Sequence, residues 1–486
     1  MTTRSTALLR MVHRHPGVTR ADAARLLGIG TGAATELVTR LSRAALLTQA
    51  PAAPSGTRGR PTTVLLPHPD GPLVLALAIT HEAWRLDVVA LGGATLASLS
   101  ERHGGAPWAE VRAAVTVAIM NFLSRYGGRL HAIGISVPGP VSRDLRLDAF
   151  NSDWHGIDLN ELWPEAGLLV AGNDATLAAT AEHRRGAATG AAVALHLRIE
   201  AGLGGAVIDD GHPVIGAHGA AGEFGHMPFG DPTVRCGCGA HGCWGSSVDG
   251  TALARLLGDP RPRDPVTYAR RVISTATRAL RSQRSRQELA GLPPPTPTGS
   301  STDPAALPDD RAGLSGAPAG PSGGSPGLLG NPAGLSGGLA GHSDGLAGLS
   351  GNPARHSDGP AGHSGGPVGL SGDPAGPVSP YSAGESGPDV DPDAAVEAVR
   401  AVGIALGRGI AGLVNALDPD LVTLGGLGVD LLAAAPEAID TAYRDGLMLI
   451  HRESPPPIRP ATLPDDEGPI AGAAEEAWSA LIPHLA

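Results

Sequence analysis

The stretch GEFGHMPFGDPTVRCGCGAHGC, Gly222 to Cys243, holds all three cysteines of a 486-residue chain. They fall within eight residues, with His226 ten positions ahead of the first. Cys236, Cys238 and Cys243 offer three sulfurs to one tetrahedral ion, and Gly237, Gly239 and Gly242 let the backbone turn tightly around it. A disulfide between Cys236 and Cys238 would be badly strained. No nucleophile needs three sulfurs, so a catalytic thiol is the weaker reading. The fourth ligand is His226 or His241. His241 sits inside the knuckle, whereas His226 arrives from a separate segment and is preferred. The expected cofactor is a structural Zn2+.

Working outward, the charge is unevenly placed. Residues 1–60 carry nine arginines against Asp22 and Glu36, a local +7 in a chain of net −11, which leaves −18 for the rest. That asymmetry points to a nucleic-acid-binding head on an acidic body. The first thirty residues lack the apolar core of a signal peptide, and no apolar run reaches membrane-span length. A soluble, cytoplasmic protein is expected, in a reducing compartment that suits thiolate ligands.

Three short helices are predicted over 4–14, 20–27 and 31–44, from the helical spacing of Leu8, Leu9 and Val12, of Ala23, Ala24, Leu26 and Leu27, and of Leu37, Val38 and Leu41. Gly28-Ile29-Gly30 makes the second turn short, the mark of a helix-turn-helix. The strands LLTQ and TTVLL around SGTRGRP then complete a winged helix-turn-helix over 1–66. From 71 onward strands alternate with helices, as in LVLALAIT, RLDVVAL, HAIGISVPGP and VALHLRIE, which predicts an α/β body. Residues 294–390 differ. In 311–380, Gly, Pro and Ser fill 41 of 70 positions, too few apolar side chains to form a core, and the segment is expected to be a disordered low-complexity insert. The pattern resumes with the amphipathic AAVEAVRAVGIALGRGIAGLVNAL, the strand PDLVTLGG and a closing helix.

GAHGAAGEFGHMPFG followed by CGCGAHGCW resembles the zinc signature of the ROK family of repressors, open reading frames and sugar kinases. GISVPGPV resembles that family's loop near the sugar, with Gly139. VAGNDATLAATAEHRRG resembles its asparagine–aspartate motif, and LVNALDPDLVTLGG its nucleotide-lobe strand. With the winged helix in front, the resemblance covers everything except the insert. It implies an actin-like, ribonuclease H-like two-lobed fold, with one lobe over 71–172 plus 466–486 and the other, with the zinc site, over 173–293 plus 391–465. It also implies a homodimer or homotetramer, His226 as the fourth zinc ligand, and a sugar effector held by Gly139, Asn173, Asp174, Glu223 and His226. Asp174 matches the kinase base. Asn173 and Asp174 also precede a helix, where such residues serve as N-caps.

Two departures bear on activity. The family's kinases wrap phosphate with an Asp-x-Gly-Gly-Thr hairpin, whereas LALAITHEAW places Ala78 at the aspartate and Thr80-His81 at the glycines. EAGLGGA places Glu200 on the second phosphate loop. No catalytic residue and no kinase activity are therefore expected. Cys243-Trp244 is followed by Gly245 where the family has a sugar-gripping glutamate, which keeps a ligand-independent regulator in view beside an ATP-dependent sugar kinase. The leading expectation is a transcriptional regulator, a repressor, bound to a double-stranded DNA operator. Thr31, Gly32, Thr35 and Glu36 would lie nearest the bases, Arg40 and Arg43 nearer phosphate, and the wing arginines Arg58 and Arg60 in a minor groove.

Overall fold

The computed structural model describes residues 3–52, 63–149, 152–290 and 390–485. The wing tip with Arg58 and Arg60, and the Gly/Pro/Ser-rich insert, lie outside the described residues.

The head comprises α1 (Thr3–Arg14), α2 (Arg20–Leu26) and α3 (Thr31–Arg43), then the antiparallel strands β1 (Leu47–Pro51) and β2 (Thr63–Pro67). The Thr19 hydroxyl accepts the Asp22 N–H and caps α2, and Gly28, at φ 61°, closes the turn before α3. Leu8, Leu9 and Val12 pack on Leu37, Val38, Leu41 and Leu47, as their spacing requires.

The first body sheet contains β3 (Leu73–Ile79), β4 (Ala83–Ala90) and β5 (Thr95–Arg102). After α4 (Trp108–Tyr126) it gains β6 (Leu130–Val137). A small hairpin, β7 (Arg146–Ala149) with β8 (Trp154–Asp158), precedes β9 (Leu169–Asn173). The order is β5-β4-β3-β6-β9, with β3, β6 and β9 parallel. Every residue of β3 is buried because both faces are covered. Leu73, Leu75, Leu77 and Ile79 pack with Val111, Val115 and Ile119 of α4. Val74, Ala76 and Ala78 pack on the C-terminal helix, in the same cluster that holds the head's core.

The helix α5 (Asp174–Arg185) leads to the second sheet, with β10 (Val193–Ile199), β11 (Leu203–Asp209) and β12 (His212–Pro213). Helices α6 (Gly250–Leu257), α7 (Pro265–Ala290) and α8 (Pro392–Leu417) come next, then β13 (Leu421–Gly426), α9 (Leu427–Ala434), α10 (Pro436–Gly446), α11 (Leu449–Arg452), β14 (Ile458–Pro460) and α12 (Gly468–Leu485). The order is β12-β11-β10-β13-β14, with β10, β13 and β14 parallel. Leu195, Leu197 and Ile199 of β10 face a core built with α6 to α10. Helices α12 and α5 lie close together, since a Cβ on Gly472 would stand 1.8 Å from the Leu177 carbonyl oxygen. This is the expected two-lobed α/β body behind a helical head. Helix α7, the β7–β8 hairpin and α10 are additions to the sequence reading.

Candidate functional site

In open sheets with parallel strands, ligands bind beyond the carboxyl ends of the strands. Here β3, β6 and β9 end at Ile79, Val137 and Asn173, and Val137 is paired with Asn173. Thr80-His81, Gly139 and Asn173-Asp174 therefore collect at one sheet edge. In the second sheet, Ile199 at the end of β10 pairs with Gly426 at the end of β13, which brings Glu200 beside Gly425-Gly426.

Asn173 is the N-cap of α5, with its Oδ1 accepting from the Ala175 N–H at 2.9 Å and the Thr176 N–H at 3.4 Å. Asp174 Oδ1 accepts from the Ala175 N–H at 2.8 Å. Capping and ligand binding are thus compatible here, since each carboxylate or amide oxygen has more than one lone pair. Glu223 stands 3.8 Å from His226. Burial pushes the Glu223 carboxyl above its usual range; His226 opposes this and the like charge of Asp174 adds to it. Gly139 is half-buried, and a Cβ there would meet the Asp148 carbonyl at 2.5 Å, so the turn must stay bare. Gly245 is buried against Gly225 and Leu203 and brings no carboxylate to the site.

The first hairpin carries Thr80-His81 at its turn. Thr80 closes the β3–β4 turn, accepting the Ala83 N–H at 3.1 Å and the Glu82 N–H at 3.3 Å through its hydroxyl. His81 is bonded to Ser152 at 2.7 Å; burial lowers its pKa and Asp174 pulls the other way. On the second loop, Glu200 is raised by burial and by Asp174 and Asp465, against Arg198. Arg198 donates to Glu200 at 2.5 Å, and Arg270 donates to Asp465 at 2.6 Å. Asp465 in turn accepts the Gly426 N–H at 3.0 Å, the backbone donor at the start of α9.

Sequence reasoning missed His196, Arg198, Arg270 and Asp465. The signal was present for two of them. HLRIE alternates polar and apolar residues, so Leu197 and Ile199 face the core while His196, Arg198 and Glu200 share the other face. His196 is bonded to Thr423 at 2.8 Å; burial, with the positive charge of Arg198 beside it, holds its pKa down at about 3. Asp465 is 39 residues from Gly426, and only folding brings it there.

The ligand atoms of His226, Cys236, Cys238 and Cys243 all lie within 4.8 Å of one another. Cys238 and Cys243 sulfurs are 3.6 Å apart, and Cys236 Sγ is 3.7 Å from His226 Nδ1. Bonds of about 2.0–2.3 Å to a tetrahedral zinc give edges of about 3.5–3.8 Å, so these two pairs stand at the spacing such an ion requires. Burial and the neighbouring thiols push Cys243 up to about 12, so a cation is what would hold it as thiolate. His241 lies outside the cluster, bridged to Arg235 within the knuckle. The knuckle is anchored by Trp244, fully buried, whose indole N–H donates to the Ala405 carbonyl of α8 at 3.0 Å.

On the head, Thr31, Gly32, Thr35, Glu36, Arg40 and Arg43 are all exposed along α3, while Ala34, Leu37, Val38 and Leu41 face inward. Arg40 also donates to Ser5 of α1. Among the described residues no helix is long and apolar enough to cross a membrane.

Residues 87–290 match the ROK family model. The chain is 36% identical over 152 residues to kanosamine kinase of Amycolatopsis mediterranei (strain S699), covering 30% of this chain and 48% of that protein. It is 26% identical over 249 residues to the DNA-binding transcriptional repressor Mlc of Escherichia coli (strain K12), covering 50% and 61%. The chain spans about half the length of the curated relatives it matches. A solved ROK family transcriptional regulator, a homologue of E. coli MLC, superposes with a TM-score of 0.58 at 18% identity, covering 99% of this chain and 97% of that one. A ROK glucokinase from Streptomyces griseus superposes at 0.50 and 20% identity, covering 84% and 99%. These two likenesses show the fold, an actin-like two-lobed body preceded by a helical head. On the family match, residues 87–290 are a ROK family domain.

Proposed function

We propose that this chain is a DNA-binding transcriptional regulator, a repressor, whose cleft takes a sugar or sugar derivative and which has lost phosphoryl transfer. The observation that carries the reading is the pairing of an exposed α3 face on a basic head with a cleft whose phosphate side is closed by its own acids. Thr80 and His81 replace the glycines, Ala78 brings no metal-positioning carboxylate, and Asp465 caps the Gly426 N–H. Glu200 and Asp465 would repel a triphosphate. In this reading the bounds are 1–66 for the head, 71–172 plus 466–486 and 173–293 plus 391–465 for the lobes, and 294–390 for the insert. Zinc, on His226, Cys236, Cys238 and Cys243, would fix the knuckle and hold His226 against Glu223. The partners are an operator duplex, which Thr31, Gly32, Thr35 and Glu36 read while Arg40 and Arg43 meet phosphates and Arg58 and Arg60 enter a minor groove, and a second copy of the chain.

The sugar is bound without chemistry. Asp174 and Glu223 accept hydroxyl protons, and the Asn173 amide donates. Sugar binding changes the lobe angle and with it the presentation of the heads, which requires different sugar affinity in the two states. The sugar-kinase relatives and the retained Asp174 favour a second reading, an ATP-dependent sugar kinase carrying a DNA head. A coupled ATPase assay with D-glucose and with kanosamine, run beside fluorescence anisotropy on random-sequence duplex, separates them. DNA binding without sugar-dependent ATP turnover supports the regulator. Turnover that vanishes in Asp174→Asn establishes the kinase instead.

A further inference from the structure

His13 lies near the end of α1, yet it is 4% exposed and reaches into the body. The Gly92 N–H donates to its Nδ1 at 2.9 Å. A backbone N–H can only donate, so Nδ1 carries no proton and the proton sits on Nε2. Nε2 then donates to Glu475 Oε2 of α12 at 3.1 Å. Arg185, the last residue of α5, donates from Nε to Glu475 Oε1 at 2.5 Å and from Nη1 to the Gly92 carbonyl at 3.1 Å. Its Nη2 also reaches the His13 carbonyl at 3.4 Å. Gly93, at φ 86°, lies directly under the guanidinium, where a Cβ would stand 2.7 Å from Cζ. Trp478 flanks the imidazole with ring centres 5.6 Å apart. One buried carboxylate therefore ties the head, the β4–β5 turn and two body helices together.

The other end of α5 lies at the carboxyl ends of β6 and β9, where the sugar is proposed to bind. Its first residue is Asp174 and its N-cap Asn173, so twelve residues, about 16 Å of helix, separate the cleft from the latch. Between them, Glu182 is 2% exposed and accepts the Thr462 and Leu463 N–H groups at 3.0 and 2.8 Å. That segment leads to Asp465, which accepts from Gly426 of the second sheet. Helix α5 is thus fastened to both sheets and packed along α12.

We propose that α5 is the rod that couples the cleft to the DNA-binding head, with Arg185, Glu475 and His13 as the latch through which lobe movement reaches α1. This rests on the regulator reading and names the residues that would carry its response. Glu475 and Arg185 are positioning residues, remote from both sugar and DNA.

The test is hydrogen exchange by mass spectrometry on the full-length, zinc-loaded protein, comparing the parent with Glu475→Gln, Asp174→Asn and the double variant. Glu475→Gln should speed exchange of the α1 amides about tenfold, as loss of a charged hydrogen bond implies, while β3 and β10 stay protected. Distant sites ordinarily act independently, so a rod predicts that the double variant departs from the product of the single effects by roughly threefold or more. Unchanged α1 exchange in Glu475→Gln removes the latch, and independent effects in the double variant remove the coupling. Should Glu475→Gln fold poorly, Arg185→Lys keeps the charge but loses the fork, and the same comparison applies. Neither DNA nor sugar enters the measurement, so absence of DNA binding would overturn the regulator reading alone.

Discussion

Replacing Gly409 with alanine tests whether the cysteine knuckle is held by the body. Gly409 is interior to α8, where Gly→Ala ordinarily gains about 1 kcal/mol from helix propensity. Here the new Cβ would lie 2.0 Å from Trp244 Cε2 and 2.6 Å from its Nε1. Trp244 is fully buried, so it has nowhere to swing. Overpacking of this kind costs about 1–3 kcal/mol. Displacing the indole also forfeits its bond to the Ala405 carbonyl, about 1 kcal/mol more. The net expectation is a loss of about 2 kcal/mol, opposite in sign to the propensity effect. Because Cys243 adjoins Trp244, metal retention should fall as well. Gly412→Ala is the internal control, since its Cβ would meet the ring of Phe229 at 3.1 Å, and Phe229 is 41% exposed and free to yield. Urea unfolding of the three proteins, with zinc release followed by a colorimetric chelator, reads both effects. A Gly409→Ala protein as stable as the parent, with its metal retained, would refute the packing argument.

Metal analysis should return one zinc per chain, and Cys238→Ser should yield poorly folded, metal-free protein; zinc-free but well-folded parent protein would contradict this. Arg58→Ala with Arg60→Ala should weaken binding to every duplex and flatten the salt dependence, measured by anisotropy across a salt series. Deleting residues 300–388 should leave melting temperature and DNA affinity unchanged, which calorimetry and anisotropy check together. The acid limb of stability should carry the mark of Glu475. Burial opposes its ionisation, but His13 and Arg185 prevail and hold it at about 2, below its usual 4.5. Since the folded value is depressed, its contribution is complete above pH 4.5 and is lost as pH falls toward 2. It amounts to at most about 3 kcal/mol, so Glu475→Gln should flatten the denaturation curve in that window.

The local patterns were legible in the sequence. Helical spacing in 4–14 and 31–44 and the alternation in HLRIE are set by which side chains must leave water, and that is a property of consecutive residues. The Cys236–Cys243 cluster could be read because its glycines and sulfurs are close in the chain. The Asn173-Asp174 pair could be read both as an N-cap and as a ligand pair, and in the structure Asn173 is the cap. Helix α7 went unread because RRVISTATRALRSQRSRQ is polar on most of its surface, and only packing of Val272, Ile273 and Ala276 against α8 reveals its buried stripe. Asp465 on Gly426, Glu182 on Thr462 and Glu475 on His13 join residues 39, 280 and 462 positions apart. Nothing local marks such pairs. A carboxylate finds its partner only after burial has removed water as the competing one, so the Asp465–Gly426 bond and the bonds of Glu475 to His13 and Arg185 were decided by the tertiary structure alone.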